Sequence, residues 1–200
     1  MSAVATPGST PAEAGRERRR MPGAEGMWVL VAGDLAIFSL LFLSFALDRR
    51  DDPVVFEQGR QALHLDQGGI NTIVLLLGSW FVVRALRAIR TGDVDRAGRW
   101  LLGGVGAGVA FGVSKAIEYV REVDAGHTST TSDFFMYYFS ITGLHLVHVL
   151  IGTAILAGFL WSWRRRGRAG NVVAFESAAI YWHLVDLLWI VIFPLLYVVR

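Results

Sequence analysis

The sequence predicts an all-α integral membrane protein, a bundle of five transmembrane helices with its N-terminus in the cytoplasm and its C-terminus outside. Hydrophobic residues make up 54% of the 200 residues and charged residues only 18%, and the mean hydropathy is +0.46. A soluble domain of this length is far more polar. Apolar segments long enough to cross about 30 Å of hydrocarbon occur five times, and arginines concentrate in alternate connections between them.

The five predicted helices cover residues 27–47, 70–89, 99–120, 134–161 and 174–199. Residues 1–22, rich in Ala, Pro, Gly, Ser, Thr and Arg without an apolar period, predict a disordered cytoplasmic tail, and residues 23–200 form the bundle. No small-residue cleavage site follows the first apolar segment, so we expect it to remain as a helix rather than to be removed as a signal peptide.

The third predicted helix is rich in glycine, which is common in membrane helices because it lets neighbouring backbones approach closely. Gly104, Gly108 and Gly112 recur every four residues and form one stripe. The stripe predicts a tight helix contact, either a small-residue face within the bundle or a dimerisation motif, and the first interpretation is favoured.

The predicted orientation rests on the arginines, since positive residues are retained on the cytoplasmic side. Thirteen arginines lie in the N-terminal tail and in the second and fourth connections, against five in the first and third connections and at residue 200. An odd number of helices agrees with termini on opposite sides. The basic pI near 9.3 therefore needs no nucleic-acid partner, and the arginine clusters suit contact with anionic lipid head groups.

Ionisable side chains inside the predicted spans are candidate functional groups, because each costs about 2.5–3.5 kcal/mol at the bilayer centre. His145 and His148 lie three residues apart on the fourth helix, as do His183 and Asp186 on the fifth, a spacing that brings side chains to one face. Facing histidines could hold a non-covalent haem or a metal. The favoured interpretation is a hydrogen-bond network in which His183 is oriented by Asp186 or by a neighbouring histidine.

The absence of cysteine removes iron–sulfur clusters, thiolate-bridged copper and covalent haem c from consideration. Asp34, near the inner end of the first helix, suits either a proton or lipid head-group contact or a neutral acid bonded within the bundle. Lys115 and Glu118, one turn apart, predict an intrahelical ion pair or snorkelling at the outer end of the third helix. Glu176 is a predicted interface polar group, and Tyr197 suits an aromatic belt.

Four segments of the chain resemble the subunit III family of haem–copper oxidases in its short five-helix form. They are Gly33-Asp34 with the Phe/Leu-rich run after it; Gly112-x-x-Lys115-x-x-Glu118-Tyr119; Thr142-Gly143-Leu144-His145-Leu146-Val147-His148-Val149-x-x-Gly152; and Glu176 through Tyr181-Trp182-His183-x-Val185-Asp186-x-x-Trp189 to Pro194.

The resemblance implies an accessory, non-redox subunit of a respiratory complex in aerobic electron transport, in a bacterial plasma membrane. Such a subunit has no catalytic residue, haem or metal of its own, packs against the catalytic haem–copper subunit I, holds structural phospholipid, and supports the assembly, proton uptake and stability of that subunit. The residues expected to form its intramembrane polar network, with lipid or proton contacts, are Asp34, Lys115, Glu118, His145, His148, Glu176, His183 and Asp186.

Two alternatives remain open at this point. Asp34 replaces the glutamate of the oxidase branch, and the segment Met21-Pro22-Gly23-x-x-Gly26-Met27-Trp28-Val29 resembles the branch associated with nitric oxide reductase, so the partner could serve denitrification. A stand-alone membrane b-type cytochrome is the less favoured alternative.

Overall fold

The computed structural model describes residues 25–166 and 171–199, which contain helices and no strand. The elements are α1 (Glu25–Asp51), α2 (Pro53–Ala62), α3 (Leu65–Arg90), α4 (Val94–Asp124), α5 (Asp133–Arg166), α6 (Val172–Phe193) and a π-helical turn (Pro194–Val198) that continues α6. The predicted tail, residues 1–22, with its arginines, and the arginines at 168 and 200 lie outside the described residues.

Five helices are long and apolar enough to span a membrane, namely α1, α3, α4, α5 and α6 with its π turn. The predicted five-helix membrane fold is thereby confirmed. Several helices are longer than predicted, because hydropathy marks only the part in hydrocarbon whereas the backbone hydrogen bonds continue into the polar flanks. α3 and α4, for example, begin at Leu65 and Val94, each five residues before the predicted start. The orientation of the termini stays a prediction.

The connection between α3 and α4 is a short turn set by its own residues. Gly92 has a φ of +76°, a left-handed conformation that glycine adopts without steric cost at the end of a helix. The carboxylate of Asp93 then caps α4 by accepting a hydrogen bond from the backbone N–H of Arg96 at 3.0 Å. The two helices therefore run antiparallel as neighbours.

α2 is an element that the sequence interpretation did not include. Asp52 caps it and Pro53 occupies its first turn, so it forms a separate helix of ten residues in the first predicted connection. Its buried residue Phe56 packs edge-on against Phe45 and Phe134, with ring centroids 5.2 and 6.0 Å apart. α2 thus closes one end of the bundle over α1 and α5.

The polar side of α2 is tied to the end of the chain. The Arg60 guanidinium donates to Glu57 at 2.9 Å and to the backbone carbonyl of Tyr197 at 3.4 Å. The hydrogen bond to Glu57 raises the pKa of Arg60 above its ordinary value. α2 is therefore fixed on both sides, by an aromatic contact and by polar contacts.

α6 is the central helix of the described bundle, in contact with α1, α3 and α5, and more than half of its apolar segment is buried. α1 is the peripheral helix, with most of its apolar side chains exposed. α3 and α4 lie close together where Gly78 faces Ala107, since a Cβ at Gly78 would come within 3.0 Å of the Ala107 Cβ. Small residues thus set the spacing of this pair.

Candidate functional site

The innermost polar group is a buried cluster of four side chains, Lys115, Glu118, Tyr138 and Tyr197, here called the Lys115 cluster. Glu118 Oε1 accepts from Lys115 Nζ at 3.2 Å, from the Tyr138 hydroxyl at 2.7 Å and from the Tyr197 hydroxyl at 2.5 Å. Lys115 Nζ also donates to the two tyrosine oxygens, at 3.1 and 3.2 Å. All three ammonium donors have partners, and each tyrosine both donates and accepts.

Both charged side chains of this cluster are fully enclosed, at 0% exposure, so Lys115 does not snorkel to the surface. Aromatic faces surround the ammonium group, with Nζ 4.8 Å from the Tyr138 ring centroid, 5.0 Å from Tyr119 and 5.6 Å from Trp189. Such rings attract a cation, most strongly where water is excluded. The ion pair is thereby held within the bundle by α4, α5 and the π turn.

Tyr119 adds a second layer beside this cluster. Thr142 uses its hydroxyl hydrogen to donate to the carbonyl of Tyr138 at 2.6 Å, so the Tyr119 hydroxyl donates to Thr142, at 2.7 Å. The sequence interpretation found Lys115 and Glu118 from their spacing. It missed Tyr138, and it assigned Tyr197 to an interface belt although that side chain is buried.

A second polar group joins α1 to α5. Asp34 Oδ1 lies 3.4 Å from His148 Nε2, and both side chains are 15% exposed. His148 Nδ1 lies 2.7 Å from the carbonyl of Leu144 and donates to it, because a carbonyl only accepts. This bond fixes the ring, so Nε2 is the atom that can exchange a proton with Asp34.

The Asp34–His148 pair borders a cavity of about 380 Å³ between α1, α5 and α6. Tyr181 and Ser177 add polar atoms to its wall, and the remaining lining is mostly apolar, as in Leu30 and Ile155. A cavity with an apolar wall and an ionisable pair at one edge can accommodate a molecule with an apolar chain and a polar end.

His183 and Asp186 share a face of α6, but each interacts with Ser79 of α3 and they are not directly hydrogen-bonded to each other. His183 Nδ1 lies 3.0 Å from Ser79 Oγ on α3, so Ser79 takes the place that the sequence interpretation gave to Asp186 or to a neighbouring histidine. The facing helix brings the hydroxyl to hydrogen-bond distance, whereas residues three apart on one helix project side by side. Asp186 also interacts with the Ser79 side chain, although its Oδ1 atom has no hydrogen-bond partner among the described residues.

His145 is buried in the centre of the bundle, with different ring contacts from those of His148. Its fully buried ring stacks on Trp189, with centroids 5.1 Å apart, and meets Phe111 edge-on at 5.6 Å. Neither ring nitrogen has a hydrogen-bond partner among residues 25–166 and 171–199, and within those residues no three His, Asp or Glu side chains form a group that could hold a metal. The two histidines of α5 therefore lie in separate environments.

The remaining predicted site residues have packing roles. Glu176 lies at the start of α6, away from the Lys115 cluster, and pairs with Arg90 of α3 at 2.7 Å; half of the Arg90 side chain is exposed, so this pair contributes little to stability. In the glycine stripe, Gly104 and Gly108 are buried, and a Cβ on Gly108 would lie 2.9 Å from the Trp182 ring. Gly112 has only an ordinary contact, with Leu150.

These features define a class: a multi-pass membrane bundle that buries ionisable side chains in pairs and hydrogen-bonded groups. A sequence model of the family described as cytochrome c oxidase subunit III matches residues 58–199. This range includes the Lys115 cluster and His148 but not Asp34. The chain belongs to the cytochrome c oxidase subunit III family.

Curated relatives agree with this assignment over more than four fifths of their own lengths. Cytochrome c oxidase subunit 3 of Synechocystis sp. is 30% identical over 98% of this chain and 83% of its own length. The subunit of the same name from Thermostichus vulcanus is 30% identical over 86% and 85%. Quinol oxidase subunit 3 of Bacillus subtilis is 28% identical over 86% and 84%. Nothing in these comparisons favours the nitric oxide reductase alternative.

Proposed function

We propose that this chain is an accessory, non-redox subunit of a haem–copper respiratory oxidase, bound to the catalytic subunit I in a bacterial plasma membrane. Membership of the subunit III family carries the proposal. The pairing of Lys115 with Glu118 and of His148 with Asp34 supports it, because these ionisable side chains have their hydrogen-bond partners within the bundle. Haem and copper then belong to the partner subunit, and the electron donor is a property of the whole complex.

The Asp34–His148 pair is the group we assign to proton or lipid contacts. The pair borders the cavity between α1, α5 and α6, and its side chains are partly exposed. A carboxyl and an imidazole at 3.4 Å can share one proton, since the second imidazole nitrogen is committed to Leu144. The apolar wall of the cavity suits the acyl chain of a structural phospholipid, whose head group would meet the pair.

The orientation that we propose places the arginine-rich ends of α3, α4 and α5 in the cytoplasm. Five arginines lie at one end of the α3–α4 pair, whereas Arg121 lies at the other. The five are Arg84, Arg87, Arg90, Arg96 and Arg99. This asymmetry supports the orientation because short cytoplasmic connections are enriched in arginine and lysine.

The decisive experiment is a gentle detergent purification of the tagged chain from its native membrane, with a visible absorption spectrum and identification of the co-purifying proteins. The same chain expressed alone is the matched control. Haem in the native preparation, together with a large haem–copper subunit, and no colour in the chain alone is the expected result. A reduced-minus-oxidised haem b band from the chain alone would overturn the proposal and make His145, His148 or His183 ligands.

A further inference from the structure

The arginine-rich end of the α3–α4 pair carries a groove that the proposed function does not use. The groove has a volume of about 520 Å³ and is lined by Phe81, Arg96, Arg99, Trp100 and Gly103. It lies on the α3–α4 side of the bundle, apart from the Asp34 cavity between α1, α5 and α6. We call it the basic groove.

Aromatic rings form one wall of the basic groove and fix an arginine at its edge. The guanidinium carbon of Arg84 lies 5.0 Å from the Trp100 ring centroid and 5.7 Å from that of Trp80. The two indoles meet edge to face at 5.2 Å, so Arg84 is held by two cation–π contacts, and among the described residues no carboxylate pairs with its guanidinium group.

The floor of the basic groove is apolar because of one glycine. A Cβ on Gly103 would come within 3.0 Å of the Phe81 ring, so only glycine lets that ring lie against the backbone of α4. Exposed apolar side chains continue from Phe81 toward the middle of α3, with Leu77 at 50% exposure and Ile73 at 60%. The surface thus changes from cationic to apolar within about two helical turns.

The positive charge of the basic groove is not neutralised within the described part of the chain. Arg84 and Arg99 have no carboxylate within 4.0 Å there, and Arg96 is paired with Asp93 at 3.2 Å. Arg90, in contrast, is paired with Glu176 on α6. Two unpaired guanidinium groups above an apolar floor are complementary to a molecule with an anionic head and an apolar body.

We propose that the basic groove binds an anionic phospholipid, with the phosphate at Arg84 and Arg99, the glycerol region on the Trp100 indole and one acyl chain over Phe81 and Gly103. The groove lies at the edge of the membrane-spanning segments, the depth of lipid head groups. An acidic segment of another protein would match the arginines but has no need of the apolar floor, so a lipid is the better match.

The test is a titration of the full-length chain in phosphatidylcholine bicelles with phosphatidylglycerol, with the bound lipid counted by native mass spectrometry. Each arginine near an anionic lipid surface strengthens binding about fivefold. The double substitution Arg84→Gln/Arg99→Gln is therefore expected to weaken phosphatidylglycerol binding about 25-fold. The charge-matched control, Arg87→Gln/Arg121→Gln, removes two arginines outside the groove and should change binding less than about threefold.

Two results would overturn the proposal. The first is equal binding of phosphatidylglycerol and phosphatidylcholine by the unmodified chain. The second is a double variant that retains phosphatidylglycerol but loses a protein partner from the native complex, which would make the groove a protein interface. If the double variant does not fold, Arg99→Gln alone still decides, because this unpaired side chain is expected to account for about fivefold.

Discussion

The Lys115 cluster predicts a specific pattern of stability in a double-mutant cycle. Lys115→Met removes the cation but leaves Glu118 enclosed at 0% exposure with two tyrosine donors. Removing one partner of a buried ion pair costs about 3–5 kcal/mol. Because the two tyrosine hydroxyls still stabilise the carboxylate, we expect the low end, about 3 kcal/mol, or about 150-fold in the folding equilibrium.

Glu118→Gln should lower the free energy of unfolding by a similar amount, since it leaves the Lys115 ammonium without its counter-charge. The double variant carries no charge in the Lys115 cluster, so we expect it to lose no more than about 3 kcal/mol, which is at least about 3 kcal/mol less than the sum of the single effects. The assay is reversible unfolding in mixed micelles with increasing SDS, followed by circular dichroism.

Arg121→Gln is the control, because it removes an exposed cation from the same helix, and we expect a change within about 0.5 kcal/mol. Two results would refute the reasoning. Strictly additive single effects would mean that Lys115 and Glu118 do not stabilise each other. A loss below about 1 kcal/mol for Lys115→Met would mean that the tyrosines alone satisfy the carboxylate.

Three further substitutions test the remaining contacts. Gly108→Val should lower the free energy of unfolding by about 1–3 kcal/mol through overpacking. Gly106 faces open space, so Gly106→Ala should change that free energy by less than about 0.5 kcal/mol. Phe56→Ala should lose about 3–5 kcal/mol of unfolding free energy, with faster amide exchange confined to α2 if that helix detaches first. Asp34→Asn should leave the haem content of the oxidase complex unchanged but alter its proton-uptake rate or working lifetime. The control Asp51→Asn, at an exposed position of the same helix, should change neither property. Unaltered proton uptake and lifetime in Asp34→Asn would mean that Asp34 has only a structural role.

The membrane-spanning helices were predictable because length and hydropathy are local properties of the sequence. α2 was not predictable in the same way, since its ten residues are too few to span a membrane and polar side chains follow the short apolar run at its start. Its signals were the caps, Asp52 and Pro53, together with the single buried ring of Phe56. A search for caps inside the connections would have found it.

Among the polar contacts, those within one helix were likewise predictable and those between distant elements were not. Lys115 and Glu118 lie on one helix, so their spacing alone predicts an ion pair. Tyr138 and Tyr197 come from other elements, 20 and 79 residues from Glu118, and no local pattern distinguishes them from interface aromatics. The Ser79–His183 bond likewise joins residues 104 positions apart, so only the packing of α3 against α6 brings it about.

The π turn at Pro194–Val198 is synthesised last among the elements that form the Lys115 cluster. Tyr197, which supplies the shortest hydrogen bond to Glu118, is made 79 residues after it, and the same turn is held by Arg60 and, at Val199, by Arg49. Glu118 is therefore synthesised before its last hydrogen-bond partner, and the Lys115 cluster is complete only when this turn docks. An affinity tag consequently belongs on the N-terminal side, where it leaves that closing step undisturbed.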